Sequence, residues 1–183
     1  QEVHQLLASI DRRTAMGRRD YAIVLLLARL GLRANEVASL ELEDVNWNAG
    51  QIYVRGKRGH QTVLPLPADA GAAVAAYLRY GRPPCPSRRM FLRSKAPIQG
   101  FVDQSAIGSI IRHRLHRAGI AAPTTGALQF RHALATRMLR HGASLNEIGE
   151  VLRHRSPQTT MIYAKVDLPT LRTLALPWPG GAR

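Results

Sequence analysis

Hydrophobic residues recur at helical spacing along most of this chain, and one stretch breaks that pattern. The spacing predicts helices over 1–10, 18–32, 33–45, 68–81, 103–120, 128–142 and 144–154, followed by a short helix that carries Tyr163. Over 51–66, β-branched and apolar residues flank the glycine-containing RGKRGH, which predicts a hairpin. The predicted fold class is therefore mainly α with a small antiparallel β-sheet (α+β).

Several of these helices have recognisable ends. Glycine closes two of them, at Gly31 and near Gly142. Ser144 and Glu147 have the spacing of a capping box, and Ser156-Pro157 reads as an N-cap followed by proline in the first turn. Tyr163 then falls about two turns into its helix.

The helix over 103–120 is amphipathic, and 82–100 is a Pro- and Arg-rich loop with a short strand predicted at 90–92. In the helix, the pattern places four apolar residues on the inner face and basic residues largely on the outer face. The inner set is Ile107, Ile110, Ile111 and Leu115, and the outer set is Arg112, His113 and Arg114.

Composition changes the picture by pointing to a polyanionic partner. The 183 residues are 45% apolar, enough for one globular domain with a sizeable core. The net charge is +14, and only Lys57, Lys95 and Lys165 of the 26 basic residues are lysines. Arginine grips phosphate with a planar fork, so the composition favours nucleic acid first and an anionic membrane surface second.

Other classes of site lack the residues that they need. A single cysteine, Cys85, cannot form an internal disulfide, and no Cys/His metal spacing is present. The 12 acidic residues are too few and too scattered for a two-metal nuclease. The densest acidic group, at 41–45, has no identifiable acidic partners elsewhere in the sequence. The longest apolar run, 21–32, is too short to span a bilayer, and no signal peptide is recognised. We expect no metal, no cofactor, no membrane contact and a bacterial cytoplasmic location with DNA.

Strand cleavage without metal uses a side-chain oxygen as nucleophile, and Tyr163 is the candidate. The chemistry needs guanidiniums on the phosphate oxygens and a cationic acid for the leaving oxygen. The candidates are Arg33, Lys57, Arg131 and His154. Each also has a structural explanation: Arg33 could pair with Glu36, Lys57 could be a solvated turn residue, Arg131 could form a salt bridge, His154 could be a helix C-terminal cation, and Tyr163 could be a packing residue.

Three ordered segments resemble the tyrosine recombinases, also called the phage integrase family. ARLGLRANEVASLELEDV resembles the family's first arginine motif, and VRGKRGHQTVLPLP resembles its lysine-bearing hairpin. FRHALATRMLRHGASLNEIGEVLRHRSPQTTMIYAKV resembles the motif that leads to the nucleophile. The resemblance covers nearly the whole chain and implies the fold of the recombinase catalytic domain over 1–183.

The resemblance implies a role for each candidate. Tyr163 would bond to the 3′-phosphate, Arg33 and Arg131 would clamp that phosphate, Lys57 would be the general acid, and His154 would hydrogen-bond the phosphate or the attacking group. We predict further DNA contacts for Arg58, His60, Arg112, Arg114, Arg117 and Arg155.

The chain departs from the family pattern at Leu128, where histidine is usual three residues before Arg131. Leucine cannot accept a proton, so we expect reduced cleavage. His132 is close in sequence, but the family commonly has histidine there as well. Family members also carry an N-terminal DNA-clamping domain, which we expect this chain to lack.

The resemblance also implies assembly and function. Family members act as tetramers on double-stranded DNA, in some cases with accessory proteins, and the tail over 164–183 could be exchanged between protomers or pack on its own domain. We expect a recombinase that integrates or excises a mobile element. Two rivals remain: a type IB topoisomerase-like enzyme and a cleavage-impaired DNA-binding regulator or architectural protein, which Leu128 favours.

Overall fold

The computed structural model describes residues 2–56, 61–121, 126–154 and 156–164. They belong to two compact units, Gln1–Arg131 and His132–Arg183. The helices are α1 (Glu2–Ala8), α2 (Ala15–Leu30), α3 (Ala34–Ser39), α4 (Ala68–Tyr80), α5 (Ser105–Arg117), α6 (Leu128–Arg140), α7 (Leu145–Val151) and α8 (Pro157–Ala164), and the strands are β1 (Val45–Asn46), β2 (Gln51–Arg55) and β3 (Gln61–Pro65). The predicted fold class, mainly α with a small antiparallel sheet, is confirmed.

Helix α2 forms the centre of the first unit. The Thr14 hydroxyl caps its start by accepting from the Gly17 N–H at 3.0 Å, and Gly31 ends it in the left-handed conformation at φ 57°. The side chains of 22–27 are all buried in the main core of this unit. The apolar run thus forms a buried helix as predicted, although the helix begins three residues before the predicted start at 18.

The sheet has the strand order β1-β2-β3, and both pairs are antiparallel. Strands β2 and β3 form the predicted hairpin, with Gln51 opposite Pro65 and Arg55 opposite Gln61. Ile52 and Val54 point into the core. The short strand β1 was not predicted, because two residues are too few to show alternation.

The helix predicted over 33–45 is wrong beyond Ser39. Leu40 leaves the helical conformation, at φ −56° and ψ 139°, and its carbonyl accepts from the Met90 N–H at 2.8 Å. The Leu42 N–H donates to the Arg88 carbonyl at 3.0 Å, and a short 3₁₀ helix covers Leu42–Asp44. Pairing with a distant segment therefore replaces the last helical turns.

The strand predicted at 90–92 is also absent from the described residues. In its place they form isolated bridges, Glu41 with Arg89 and Leu92 with Gly100.

The prediction that Arg114 lies on the outer face of α5 is also wrong. Its side chain is 7% exposed, and its guanidinium pairs with Asp20 at 2.6 Å. Asp20 also pairs with Arg19 at 2.8 Å, and Arg19 donates to the Leu92 carbonyl at 3.0 Å. The guanidinium is buried because this carboxylate compensates its charge. Arg114 is therefore withdrawn from the predicted DNA contacts, whereas Arg112, His113 and Arg117 are exposed.

The second unit has a small core of its own, formed by Leu134, Ala135, Ile148, Leu152 and Tyr163. Helix α7 begins with the predicted capping box: the Ser144 N–H donates to Glu147 at 2.7 Å, and the Glu147 N–H donates to the Ser144 hydroxyl at 3.2 Å. Pro157 is the first residue of α8, as predicted, and Tyr163 lies about two turns along it.

Within the described residues, none of the helices has the length and apolar character needed to cross a membrane.

Candidate active site

Arg33 lies at the start of α3, directly after the loop that ends α2. Its backbone N–H and its Nη1 each lie 2.8 Å from a carboxylate oxygen of Glu36, which is buried. The Arg33 side chain itself is 46% exposed. The structural explanation, a pair with Glu36, is therefore observed. It is compatible with a binding role, because the carboxylate orients a guanidinium that remains partly in solvent.

Arg131 is held at the same loop. It lies on α6, is buried, and its Nη1 donates to the Gly31 carbonyl at 2.7 Å. This carbonyl is two residues before Arg33. The first unit therefore brings both predicted arginines to the loop over 31–33, although one hundred residues separate Gly31 from Arg131 along the chain.

A charged cluster fixes strand β2 at the turn end of the β2–β3 hairpin. Arg55 pairs with Glu41 at 2.7 Å and with Asp44 at 2.8 Å. Burial raises the pKa of Asp44, while its bond from the Glu41 N–H and the charge of Arg55 act in the opposite direction. Arg55 is the last residue of β2, so this cluster anchors the strand that leads into the predicted lysine turn. Lys57, Arg58 and His60 lie outside the described residues.

In the second unit, His154 is positioned by the turn that ends α7. Its backbone N–H donates to the Gly149 carbonyl at 2.8 Å, and the Arg153 N–H donates to the Glu150 carbonyl at 2.9 Å. These two bonds form a Schellman motif. Its left-handed position holds Arg153 at φ 54°, where glycine is usual.

The His154 ring is fixed by α8. Its Nδ1 lies 2.7 Å from the hydroxyl of Thr160, a buried side chain one turn before Tyr163. Helix α7 passes close to this hydroxyl, because a Cβ at Gly149 would lie 3.1 Å from it. Sequence reasoning missed Thr160, since a lone threonine in a helix carries no motif. Its only signal is the position three residues before Tyr163, on the same helical face.

Two histidine rings flank Tyr163, whose side chain is only 2% exposed. The His154 ring stacks on it with a centroid distance of 6.2 Å and an interplanar angle of 8°. The His132 ring meets it edge-on, with 5.4 Å between centroids. The nine-residue spacing thus allows α8 to fold back on the turn that carries His154. Tyr163 also packs in the core of this unit, which is the structural explanation that the sequence analysis offered for it.

Comparison with known proteins agrees with the resemblance seen in the motifs. The family model described as the phage integrase family matches residues 1–168. The chain belongs to the phage integrase family.

Relatives in this family include proteins named as recombinases. The putative integrase/recombinase y4rA of Sinorhizobium fredii is 64% identical over all of this chain and 44% of its own length. The tyrosine recombinase XerD of Ralstonia nicotianae is 35% identical over 94% of this chain and 56% of its own length. The crystal structure of XerA recombinase superposes with a TM-score of 0.78 at 28% identity, covering 94% of this chain and 61% of that one. The chain thus spans about half the length of these relatives.

Leu128 is the residue at which the resemblance of the motifs implies a departure from the family's usual histidine. It is the first residue of α6, and 60% of it is exposed. A side chain there is open to solvent, so a polar replacement has no packing cost to overcome. Arg155 lies outside the described residues.

Among the residues that the structure describes, no three His, Cys, Asp or Glu side chains cluster as a metal site requires. The Cys85 thiol is free and donates to the Ile98 carbonyl at 3.2 Å.

Proposed function

We propose that this chain is the catalytic part of a site-specific DNA recombinase that integrates or excises a mobile element. It cleaves and rejoins strands through a 3′-phosphotyrosine intermediate. The observation that carries the proposal is the contact of Tyr163 with His154, within a family whose relatives are named integrases and tyrosine recombinases.

The reaction is a balanced exchange at phosphorus. The Tyr163 hydroxyl oxygen attacks, the bond from phosphorus to the 5′ oxygen breaks, and a bond to tyrosine forms. Lys57 gives its proton to the departing 5′ oxygen, and the tyrosine proton passes to a base. Because the phosphotyrosine retains the phosphodiester energy, a 5′-hydroxyl can reverse the step without ATP.

The arginines supply the charge that a metal supplies in other nucleases. As the transition state forms, charge grows on the non-bridging oxygens, and Arg33 and Arg131 hold those oxygens. Glu36 and the Gly31 carbonyl keep these guanidiniums in place before DNA binds, so little reorganisation is needed. The proposed reaction is therefore independent of metal.

The weak step is removal of the tyrosine proton. Leu128 offers no acceptor. Among the described residues, His132 and His154 are the imidazoles in ring contact with Tyr163, and His132 meets it edge-on. We propose that cleavage proceeds more slowly than in members with histidine at the position of Leu128.

The partner is double-stranded DNA, consistent with a net charge of +14. Residues 1–183 act as the catalytic domain and assemble as a homo-tetramer on paired sites in the bacterial cytoplasm, with accessory proteins where a site requires them. The tail over 164–183 is the segment exchanged between protomers, and 165–183 lie outside the described residues.

The test is covalent trapping. The protein is incubated with fragmented DNA from the host that encodes it, adducts are recovered under denaturing conditions, and the attached ends are sequenced. A nicked suicide duplex is then built from those ends. Tyr163→Phe keeps the buried ring, so DNA affinity is expected to remain while the adduct is lost. An adduct of normal yield from Tyr163→Phe would remove Tyr163 from its role.

A cleavage-impaired DNA-binding protein is the second candidate, and the exposed Leu128 is the observation that favours it. Retarded migration of DNA by the unmodified protein, with no covalent adduct recovered from the fragmented host DNA, would decide for this candidate.

A further inference from the structure

We infer that Thr160 is a positioning residue that sets which nitrogen of His154 carries the proton. The inference rests on the proposed recombinase reaction and deepens it, because it decides between the two roles open to His154. With Thr160 in place, His154 donates a hydrogen bond from Nε2 to a phosphate oxygen and does not take the proton from Tyr163.

The geometry holds the imidazole from three sides. The Schellman turn fixes its backbone through the bond to Gly149, the Thr160 hydroxyl lies 2.7 Å from Nδ1, and the Tyr163 ring stacks on its face. Thr160 is 2% exposed, so water does not compete well for its hydroxyl. Rotation of the ring by half a turn would replace the Nδ1 contact with a carbon, which fixes Nδ1 towards α8 and Nε2 at the opposite edge.

The chemistry of a hydroxyl permits an Nε2 proton in both charge states of His154, and this is the tautomer that we infer. A threonine hydroxyl can donate or accept, unlike a carbonyl or a carboxylate, which only accept. In the inferred state of neutral His154, the hydroxyl donates to Nδ1 and the proton stays on Nε2. When His154 is protonated, Nδ1 donates to the hydroxyl and Nε2 again carries a proton. A carbonyl at this place would hold the proton on Nδ1 and leave neutral Nε2 as an acceptor.

The consequence for the reaction is a fixed donor. In both charge states the edge opposite Thr160 presents an N–H, which suits an anionic oxygen and cannot accept the tyrosine proton. The general base must then be sought elsewhere, and His132 against the Tyr163 ring is the nearest described imidazole.

Three variants of α8 test the inference. Thr160→Val keeps the shape but removes the hydroxyl, Thr160→Ser keeps the hydroxyl, and Thr159→Val is the matched control on an exposed neighbour. The first readout is the ¹⁵N chemical shift pair of the His154 ring in the free full chain. The second is the single-turnover rate of adduct formation on the nicked duplex.

We expect the unmodified protein, Thr160→Ser and Thr159→Val to carry the neutral proton on Nε2, and Thr160→Val to lose that preference. The adduct rate of Thr160→Val is expected to fall roughly tenfold, the size of one lost hydrogen bond. Thr160→Ser should restore most of the rate. In a His154→Ala background, Thr160→Val should cause no further loss, which a purely structural role would not produce.

The inference is overturned if neutral His154 in the unmodified protein carries its proton on Nδ1. This measurement of the tautomer needs no variant and no DNA, so it tests the inference even if Thr160→Val fails to fold. It is also overturned if Thr160→Val forms the adduct as fast as the unmodified protein. Failure of the proposed function has a different signature, since the unmodified protein would then form no adduct while the tautomer measurement still gives an answer.

Discussion

The two compact units hold their candidate residues in different ways. In the first unit, Arg33 and Arg131 lie at the margin of a large apolar core, and polar groups outside that core orient them. In the second unit, Tyr163 is itself one of the few core residues. Under the proposed reaction, substituting the arginines is expected to remove a function, whereas truncating the tyrosine is expected to remove a function and a large part of a core.

The difference shows where strain and compensation are concentrated. The first unit buries charges, but it compensates them with the Arg19–Asp20–Arg114 network. The described part of the second unit has only a small core, and yet it keeps a non-glycine residue in the left-handed conformation beside His154. Local strain next to a functional side chain is maintained only where the surrounding contacts determine the conformation. The first unit therefore resembles a rigid support, and the described part of the second a small unit organised around the candidate residues His154 and Tyr163.

The largest expected effect tests the support of the first unit. Asp20→Asn leaves two buried guanidiniums without their carboxylate, which is expected to lower the free energy of unfolding by about 3–5 kcal/mol. Chemical denaturation provides the measurement. Asp69→Asn is the matched control, because Asp69 pairs with Arg29 in a half-exposed position and its loss is expected to cost less than about 1 kcal/mol. Equal losses from both variants would contradict the difference between buried and surface pairs.

The next effect concerns the proton acceptor. Leu128→His adds an imidazole at an exposed position at the start of α6. The rate of adduct formation is expected to rise by about 10²-fold, within the usual range for a general base, with little change in DNA affinity. The gain should be clearest near neutral pH. Leu128→Ala is the control for simple removal of a bulky side chain, and a similar gain from alanine would show that the imidazole is not responsible.

Local signals in the sequence predicted much of this molecule. The apolar run of α2, the alternation around the hairpin, and the Ser144–Glu147 capping box depend on residues close in sequence. The errors come from distant partners. Helix α3 ends early because Leu40 pairs with Met90, and Arg114 is buried because Asp20, ninety-four residues away, compensates it.

The same distinction between local signals and distant contacts applies to the candidate site. The spacing of His154 and Tyr163 and the resemblance of three motifs identified the main candidates in the sequence. Glu36 was named in advance as a partner of Arg33, since it lies one helical turn away. The contacts of Thr160 with His154 and of Arg131 with the Gly31 carbonyl could not be predicted, because no residue pattern encodes them.

A smaller effect tests whether the first unit also binds DNA along α5. Arg112 and Arg117 are exposed there, and each phosphate contact contributes about 0.9 to the slope of log affinity against log salt. Arg112→Ala/Arg117→Ala is expected to flatten the slope by roughly 1.8 if both make contacts. A control with the same change of charge is Arg13→Ala/Arg18→Ala, with Arg13 just before α2 and Arg18 in its first turn. Equal slopes for the α5 variant and the unmodified protein would show a solvated face.

The smallest effect compares two helix ends within the second unit. Helices α6 and α7 both end in a Schellman motif, with the left-handed position held by Gly142 at φ 86° and by Arg153 at φ 54°. A non-glycine residue in this conformation costs roughly 1 kcal/mol. Arg153→Gly removes that cost but also removes the side chain, so Arg153→Ala serves as its control because it removes the side chain and keeps the strain.

The glycine variant is expected to be more stable than the alanine variant by about 1 kcal/mol, and Gly142→Ala should lose about the same amount at the other helix end. Hydrogen exchange of the amides in α7 measures this locally, since opening of a small unit need not unfold the first one. If the glycine and alanine variants exchange at the same rate, the backbone beside His154 is not strained. The turn would then position the His154 imidazole without the energetic cost expected for a non-glycine residue in the left-handed conformation.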